Sequence, residues 1–288
     1  MNIEKIKGLP LISIIIPLYN KEFCVLETIR SITSQDYDDY EIVVVDDGST
    51  DNSVALIEEL NHPRIKIFKK ANGGVASARN HGVRNAVGKW GLFLDADDTL
   101  EPGALRLLDR LIRQEPSCEF FCCNHYIQEN GKKRLFSSKF KEGYIRYNFF
   151  AHHTKRIWTR AGAALFSMPL LRKNPHNEQY RRYEDAEFAF NIMRSTRAYT
   201  SPIPIMTYNL DYAEASKPRK DASEDFIGHL SYEGKGRWEQ LALYDLYQQG
   251  CRNYPEDMKR LYDPQKMSNR KVQICKKIRT LLILLHYI

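Results

Sequence analysis

The chain lacks the marks of a spanning, secreted or thiolate-metal protein. No apolar run among its 288 residues reaches the roughly 18 that a membrane-crossing helix needs, and mean hydropathy is −0.51. Its six cysteines, Cys24, Cys118, Cys122, Cys123, Cys251 and Cys275, show no paired metal-ligand spacing. Met1–Gly8 is short and charged rather than apolar, so it does not read as a secretory leader, and free thiols in a reducing cytoplasm are expected. Internal repeats and low-complexity tracts are missing, which excludes a solenoid or a largely disordered chain. The formal net charge of +7 points to an anionic partner. Acid clusters over Asp36–Asp51 and Asp95–Glu101 while Lys and Arg gather towards the C-terminus. That asymmetry fits an acidic metal pocket and a basic membrane- or acceptor-facing end, and no nucleic-acid partner is expected.

What the first 125 residues do contain is regular alternation. Leu11–Ile16 and Glu41–Val45 are β-branched and almost wholly apolar, as buried parallel strands are. Pro17 should stop the first of them, leaving Pro17–Asn20 as the loop at its carboxyl end. Helical spacing follows over Lys21–Ser34, Ser53–Leu60, Val75–Val87 and from Pro102 to Arg113, with strands at Arg64–Phe68 and Trp90–Leu94. Four strand–helix alternations predict an α/β fold with an open, doubly wound, mostly parallel, Rossmann-like sheet. Right-handed crossovers then bring the carboxyl ends of the strands, where ligands bind, to one edge.

One stretch at that edge, Gly88–Asp98, runs from apolar Trp90–Leu94 straight into Asp95, Asp97 and Asp98. In extended chain Asp95 and Asp97 point to the same side, and converging carboxylates repel unless a cation such as Mg²⁺ or Mn²⁺ lies between them. A solvated acidic turn capping the next helix is an equal reading of the stretch by itself. Two further polar loops, Pro17–Asn20 and Asp46–Asp51, share the edge and turn separate motifs into a site.

Beyond Tyr126 the alternation weakens. Asn130–Lys141 reads as a hairpin or surface loop, and Ile145–Ala164 is mixed, with His152, His153 and Trp158. A helix is expected over Glu184–Arg194, an edge strand or loop over Ser201–Tyr208 because of Pro202 and Pro204, and a mobile polar loop over Asp211–Ser231. Helical pieces follow at Trp238–Gln249 and Pro255–Tyr262. Arg270–Ile288 sets Lys271, Lys276, Lys277 and Arg279 beside Leu281–Leu285, as a helix on an anionic membrane surface or one docked on the protein would.

Taken together, Pro17-Leu18-Tyr19-Asn20, Asp46-Asp47-Gly48-Ser49-Thr50-Asp51, Asn72-Gly73-Gly74 with Ala78-Arg79-Asn80, Asp95-Ala96-Asp97-Asp98, and Tyr183-Glu184-Asp185 followed by Phe188 resemble the family 2 inverting glycosyltransferases. The resemblance covers about the first 125 residues plus the Glu-Asp pair. It implies the GT-A fold, a nucleotide-diphosphate sugar as donor, with UDP favoured, and a hydroxyl of a glycan or lipid-linked acceptor. By the same resemblance Pro17, Tyr19, Asn20, Asp46, Asp47, Arg79, Asp95, Ala96 and Asp97 contact the nucleotide sugar. Asp95 and Asp97 match the DxD motif and hold a divalent metal, Mn or Mg. Asp185 is implied as the base of a single displacement, with Glu184 and Trp158 on the acceptor side.

Competing structural roles stand beside several of these. Arg79 could pair with nearby aspartates, whichever of Asp46 and Asp47 does not meet the base could cap the Ser53 helix, and Asp98 could be a cap before Pro102. Tyr183 replaces the small residue more usual before Glu-Asp. Gln179–Tyr183 and Gly234–Trp238 only faintly resemble the QxxRW box of processive synthases, one in the wrong order and one without the Gln. The expected organisation is a nucleotide-sugar half over 1–125, a mixed acceptor-side half over 126–215, and a C-terminal helical extension over 216–288 with membrane association. A sugar-nucleotide nucleotidyltransferase would want a Gly-rich loop after the first strand, where this chain has none. A silent scaffold would have no need of both Asp97 and Asp185.

Overall fold

The computed structural model describes residues 11–137, 141–145, 160–212, 221–231, 233–262 and 277. Strands are β1 (Ile12–Leu18), β2 (Tyr40–Asp46), β3 (Ile65–Lys69), β4 (Trp90–Phe93), β5 (Thr99–Leu100), β6 (Phe120–Glu129), β7 (Lys132–Leu135), β8 (Gly143–Tyr144), β9 (Ala164–Ser167) and β10 (Tyr199–Asn209). Helices are α1 (Val25–Thr33), α2 (Ser53–Glu58), α3 (Val75–Asn85), α4 (Ala104–Gln114), α5 (Met168–Lys173), α6 (Glu184–Ser195), α7 (Arg237–Asn253) and α8 (Pro255–Leu261). The strands form one sheet in the order β3-β2-β1-β4-β9-β6-β10-β5, with β7 on β6 and β8 on β10.

The half β3-β2-β1-β4 is wholly parallel. Every residue of β2 is buried, because helices cover both faces of this half. One layer sets Ile12, Ile14 and Ile16 against Val25, Ile29 and Ile32 of α1 and Leu105, Leu108 and Leu111 of α4. The other sets Ile15, Val43 and Val45 against Ala78 and Val83 of α3. Each fully buried aliphatic side chain contributes about 1.5–3 kcal/mol of transfer free energy. Beyond β4 the sheet is mixed: β9 runs antiparallel to both β4 and β6, and β10 runs parallel to β6.

Several expectations are corrected here. Pro17 does not end β1; it pairs with Val45 and the strand reaches Leu18. The Ile15 carbonyl accepts from Leu94 N–H, so odd-numbered residues of β1 face β4. The β1–β4 ladder stops at Phe93, so the missing Pro17 N–H costs no bond. Ser201–Tyr208 is not an edge strand or loop. It lies within β10, and its prolines fall between the pairings to β8 and β5, at register shifts against β6. Phe23, one of the apolar residues that give Lys21–Ser34 its helical spacing, precedes α1 and is 58% exposed. The helix expected from Pro102 begins at Ala104, two residues after the proline. Within Asp211–Ser231, residues 221–231 are not a polar loop: they form 3-10 turns at Ala222–Glu224 and Phe226–His229, burying Phe226, Ile227 and Leu230. The expected hairpin is present as β6–β7. Trp158, His152 and His153 lie outside the described residues, as does Arg270–Ile288 apart from residue 277. Among the described residues no helix is long and apolar enough to cross a membrane, and Cys24, Cys118, Cys122, Cys123 and Cys251 are free thiols.

Candidate functional site

Because β1, β2 and β4 are parallel, the loops leaving them meet at one edge. Polar bonds then stitch the first two loops together. Asn20 adopts a left-handed φ of 50°, a conformation Asn tolerates better than most residues. Its N–H donates to Ser49 Oγ at 3.1 Å, and its Oδ1 accepts from Thr50 N–H at 2.8 Å. Pro17 is in β1, whereas Tyr19 is 48% exposed beside these bonds.

Asp46 and Asp47, both buried, have different tasks. Asp46 Oδ1 accepts from Ser49 N–H at 2.9 Å and folds its own loop. Asp47 takes Gly73 N–H on Oδ1 at 2.9 Å and Gly74 N–H on Oδ2 at 2.7 Å, with Lys70 Nζ at 2.6 Å. It thereby fixes the Asn72-Gly73-Gly74 turn that starts α3, where Gly74 has a φ of 87° that a side chain would strain. Neither caps α2. Its N-cap is Asn52, which makes no side-chain cap bond, and Asp51 braces the approach with Oδ1 accepting from Ser53 N–H at 3.0 Å.

The acidic stretch is a turn, not extended chain: Asp98 N–H donates to the Asp95 carbonyl at 3.0 Å. The same-side argument for Asp95 and Asp97 therefore fails, yet the turn still crowds the carboxylates. Burial, then the neighbouring Asp95 charge, pushes the Asp97 carboxyl above its usual range. The same two causes raise Asp98 well above it. Lys21 Nζ donates to Asp97 Oδ2 at 2.9 Å. Ala96 is buried, and its carbonyl accepts from Thr28 Oγ1 at 2.9 Å, which ties the turn to α1. Asp98 is not a helix cap. Its Oδ1 accepts from Asn209 N–H at 2.9 Å and pins the end of β10 under the turn.

Arg79, 5% exposed on α3, joins the two halves of the site. Its Nη2 donates to Asp95 Oδ1 at 2.9 Å and its Nη1 to Glu184 Oε1 at 3.2 Å. Burial works against its charge, but Asp95 and Glu184 more than offset that and hold its pKa above the usual value. Burial and the adjacent Asp185 raise Glu184, with Arg79 pulling the other way. Asp185 is half-buried in the first turn of α6, its Oδ1 accepting from Ala186 N–H at 2.8 Å. Asn80, next to Arg79, grips the approach to this helix by donating to the His176 carbonyl and accepting from its N–H, both at 2.9 Å. His176 is itself buried and stacked on Phe188, and burial, then the Arg79 charge, lowers its pKa well below the usual imidazole value.

The structure thus gathers Pro17, Tyr19, Asn20, Asp46, Asp47, Arg79, Asp95, Ala96, Asp97, Glu184 and Asp185 at one edge. Lys21 and the gripping role of Asn80 were missed. The available signals were a lysine one residue after a strand-end loop and an Asn inside the quoted Ala-Arg-Asn triplet. Among the described residues no group of three or more His, Cys, Asp or Glu is arranged to hold a metal by itself. Asp95 and Asp97 do fit a hard divalent ion that takes further ligands from phosphate and water. They are all-oxygen donors, and burial and the Asp95 charge raise Asp97 despite its ion pair with Lys21.

The sequence profile of the family described as Glycosyl transferase family 2 matches residues 13–178. The chondroitin synthase of Pasteurella multocida is 34% identical over 164 residues, which cover 54% of this chain and 17% of that protein. Across eight of the curated relatives it matches, this chain spans 17 to 47% of their length. Among solved structures, S. aureus TarS in complex with UDP-GlcNAc aligns with a TM-score of 0.69 at 20% identity, covering 85% of this chain and 74% of that one. A mannosyltransferase of Pyrobaculum calidifontis in complex with GDP-Man and Mn2+ aligns with a TM-score of 0.54 at 20% identity, covering 88% and 68%. At these identities the likeness speaks to the fold, the GT-A arrangement expected from the sequence.

Proposed function

The chain belongs to glycosyltransferase family 2, and on that footing we propose that it moves a sugar from a UDP-linked donor to a hydroxyl of a glycan or lipid-linked acceptor with inversion at the anomeric carbon. The observation that carries this reading is Arg79. One buried guanidinium binds both Asp95, on the acidic turn, and Glu184, beside Asp185. A donor diphosphate at the first and an attacking hydroxyl at the second would therefore meet across one fixed cation.

In this mechanism the Pro17–Asn20 and Asp46–Asp51 loops receive the nucleotide, and Lys21 offers its ammonium to the diphosphate. Asp185 accepts the acceptor hydroxyl's proton as that oxygen bonds to the anomeric carbon. The bond from that carbon to the diphosphate oxygen breaks, and the nucleoside diphosphate leaves with both electrons. Asp97 and Asp95 would hold Mn2+ or Mg2+, which supplies Lewis-acid stabilisation of the departing diphosphate. Glu184, salt-bridged and buried, orients the acceptor side. Trp158 is proposed to line that side.

Residues 1–125 act as the donor half, 126–215 as the acceptor half, and 216–288 as the helical extension, in a protein working at the cytoplasmic face of a membrane. Its basic stretch Arg270–Ile288 would touch anionic lipid. The choice of UDP draws support from the nucleotide bound by TarS. Incubating the protein with UDP-, GDP- and CMP-sugars and measuring released nucleotide tests the reading. UDP-sugars with Mn2+ should turn over, and excess chelator should lower release at least about tenfold. Release from another nucleotide class alone would overturn the donor, and chelator-insensitive release would overturn the metal.

A further inference from the structure

The residue before Glu184 and Asp185 is held in an unfavourable conformation by a part of the chain far away in sequence. Tyr183 has φ 57° and ψ 16°, the left-handed region, which is sterically unfavourable for a bulky L-residue. Such a conformation persists only where its surroundings over-determine it, and here they come from residues 222–262. Arg181 N–H donates to the Glu224 carbonyl at 2.8 Å, and Phe226 N–H to the Arg182 carbonyl at 3.1 Å. Asn253 Nδ2 donates to Tyr183 Oη at 2.6 Å. Tyr254 Oη donates to Asp225 Oδ2 at 2.5 Å and accepts from Arg182 Nη1 at 3.4 Å. The Tyr183 ring packs into the apolar clusters formed by Phe226, Ile227 and Met258, beside Tyr247 and Tyr262.

We propose that Asn253, Tyr254 and Asp225 are positioning residues for the transfer reaction: they lock Arg182 and Tyr183 so that α6 presents Asp185 at a fixed angle to the acidic turn. The inference rests on Asp185 being the base. The segment behind it is then part of the catalytic apparatus, not a detachable extension. The geometry explains why a tyrosine is accepted where only glycine would be unstrained. Its hydroxyl and ring are the handle by which the C-terminal segment holds the helix start. Relaxing Tyr183 to a negative φ would redirect the first turn of α6, and small misplacements of a reacting group cost up to about 100-fold in rate. The donor loops lie on β1, β2 and β4 and meet the start of α6 through Arg79, whose own bond to Asp95 does not pass through Glu184, so donor affinity should not follow.

Tyr254→Phe and Asn253→Ala should each lower kcat for UDP-sugar turnover about 10- to 100-fold while the calorimetric Kd for UDP with Mn2+ stays within about twofold. Asp185→Asn is run beside them. If Asp185→Asn is inactive while both variants, folded by circular dichroism, keep wild-type kcat, the positioning role is wrong and the base stands. A parallel loss of UDP affinity would also overturn it, because the effect would then lie in donor binding or general folding. Turnover by Asp185→Asn would overturn the base and this inference together. Should Tyr254→Phe not fold, Asn253→Ala, whose side chain is exposed, decides between these outcomes.

Discussion

Asp185→Asn is expected to lower transfer by about 10²–10⁴-fold, the range a general base contributes, while leaving metal-dependent UDP binding near its wild-type value. The substitution is isosteric, and the amide oxygen can still accept from Ala186 N–H, the bond that holds Asp185 at the start of α6. What it cannot do is accept the proton of an attacking hydroxyl. Glu184 is a poor substitute base: it is 7% exposed, and its Oε1 is bonded to Arg79. Initial-rate measurement of UDP release with acceptor present, alongside calorimetry of UDP, separates the two effects. Normal transfer by the variant would remove Asp185 from the mechanism.

The second large effect is expected at Arg79. Its replacement by Ala leaves Glu184 and Asp95 facing one another's charge without a cation, and breaking a buried pair in this way typically costs about 3–5 kcal/mol. Lysine should not rescue it, since a single ammonium cannot reproduce two divergent N–H donors. The loss should also depend on pH. Burial and Asp185 already hold the Glu184 pKa above its unfolded value, with Arg79 opposing them, so removing Arg79 raises it further. A group with a raised folded pKa favours the fold fully below its unfolded pKa and loses that contribution as pH rises through the folded one. The deficit of Arg79→Ala should therefore be smaller at pH 5 than at pH 8. Urea unfolding at the two values reads it, and an equal deficit at both would show that Arg79 does not control Glu184.

The parallel half was legible because burial on both faces leaves an unmistakable trace: LISIII and EIVVV have no polar face to confuse with a helix. The strand-end carboxylates were legible for the same reason, as abrupt breaks in those runs. Other features depend on tertiary partners that periodicity does not carry. Pro17 stays in β1 only because no strand lies opposite its missing N–H. Pro202 and Pro204 stay in β10 because they fall between two short partners. β9 is four residues long, too short for its buried pattern to declare a strand. Residues 221–231 look polar, yet three apolar side chains in a short span suffice to pack them under α7. At the site the cast of residues was readable, but the pairing was not. That Asp47 grips Gly73 and Gly74, that Asp98 holds Asn209, and that Arg79 faces both ways are contacts between residues 16 to 111 positions apart.

Inversion by one displacement, with Asp185 as base, is the central claim, and the stereochemistry of donor hydrolysis tests it most directly. Water can replace the acceptor hydroxyl, so freshly released sugar carries the same stereochemical record. Proton NMR of the products of UDP-α-N-acetylglucosamine, or of whichever UDP-α-sugar turns over, collected before mutarotation, should show the β-anomer first. Initial appearance of the α-anomer would contradict a single displacement and the role given to Asp185.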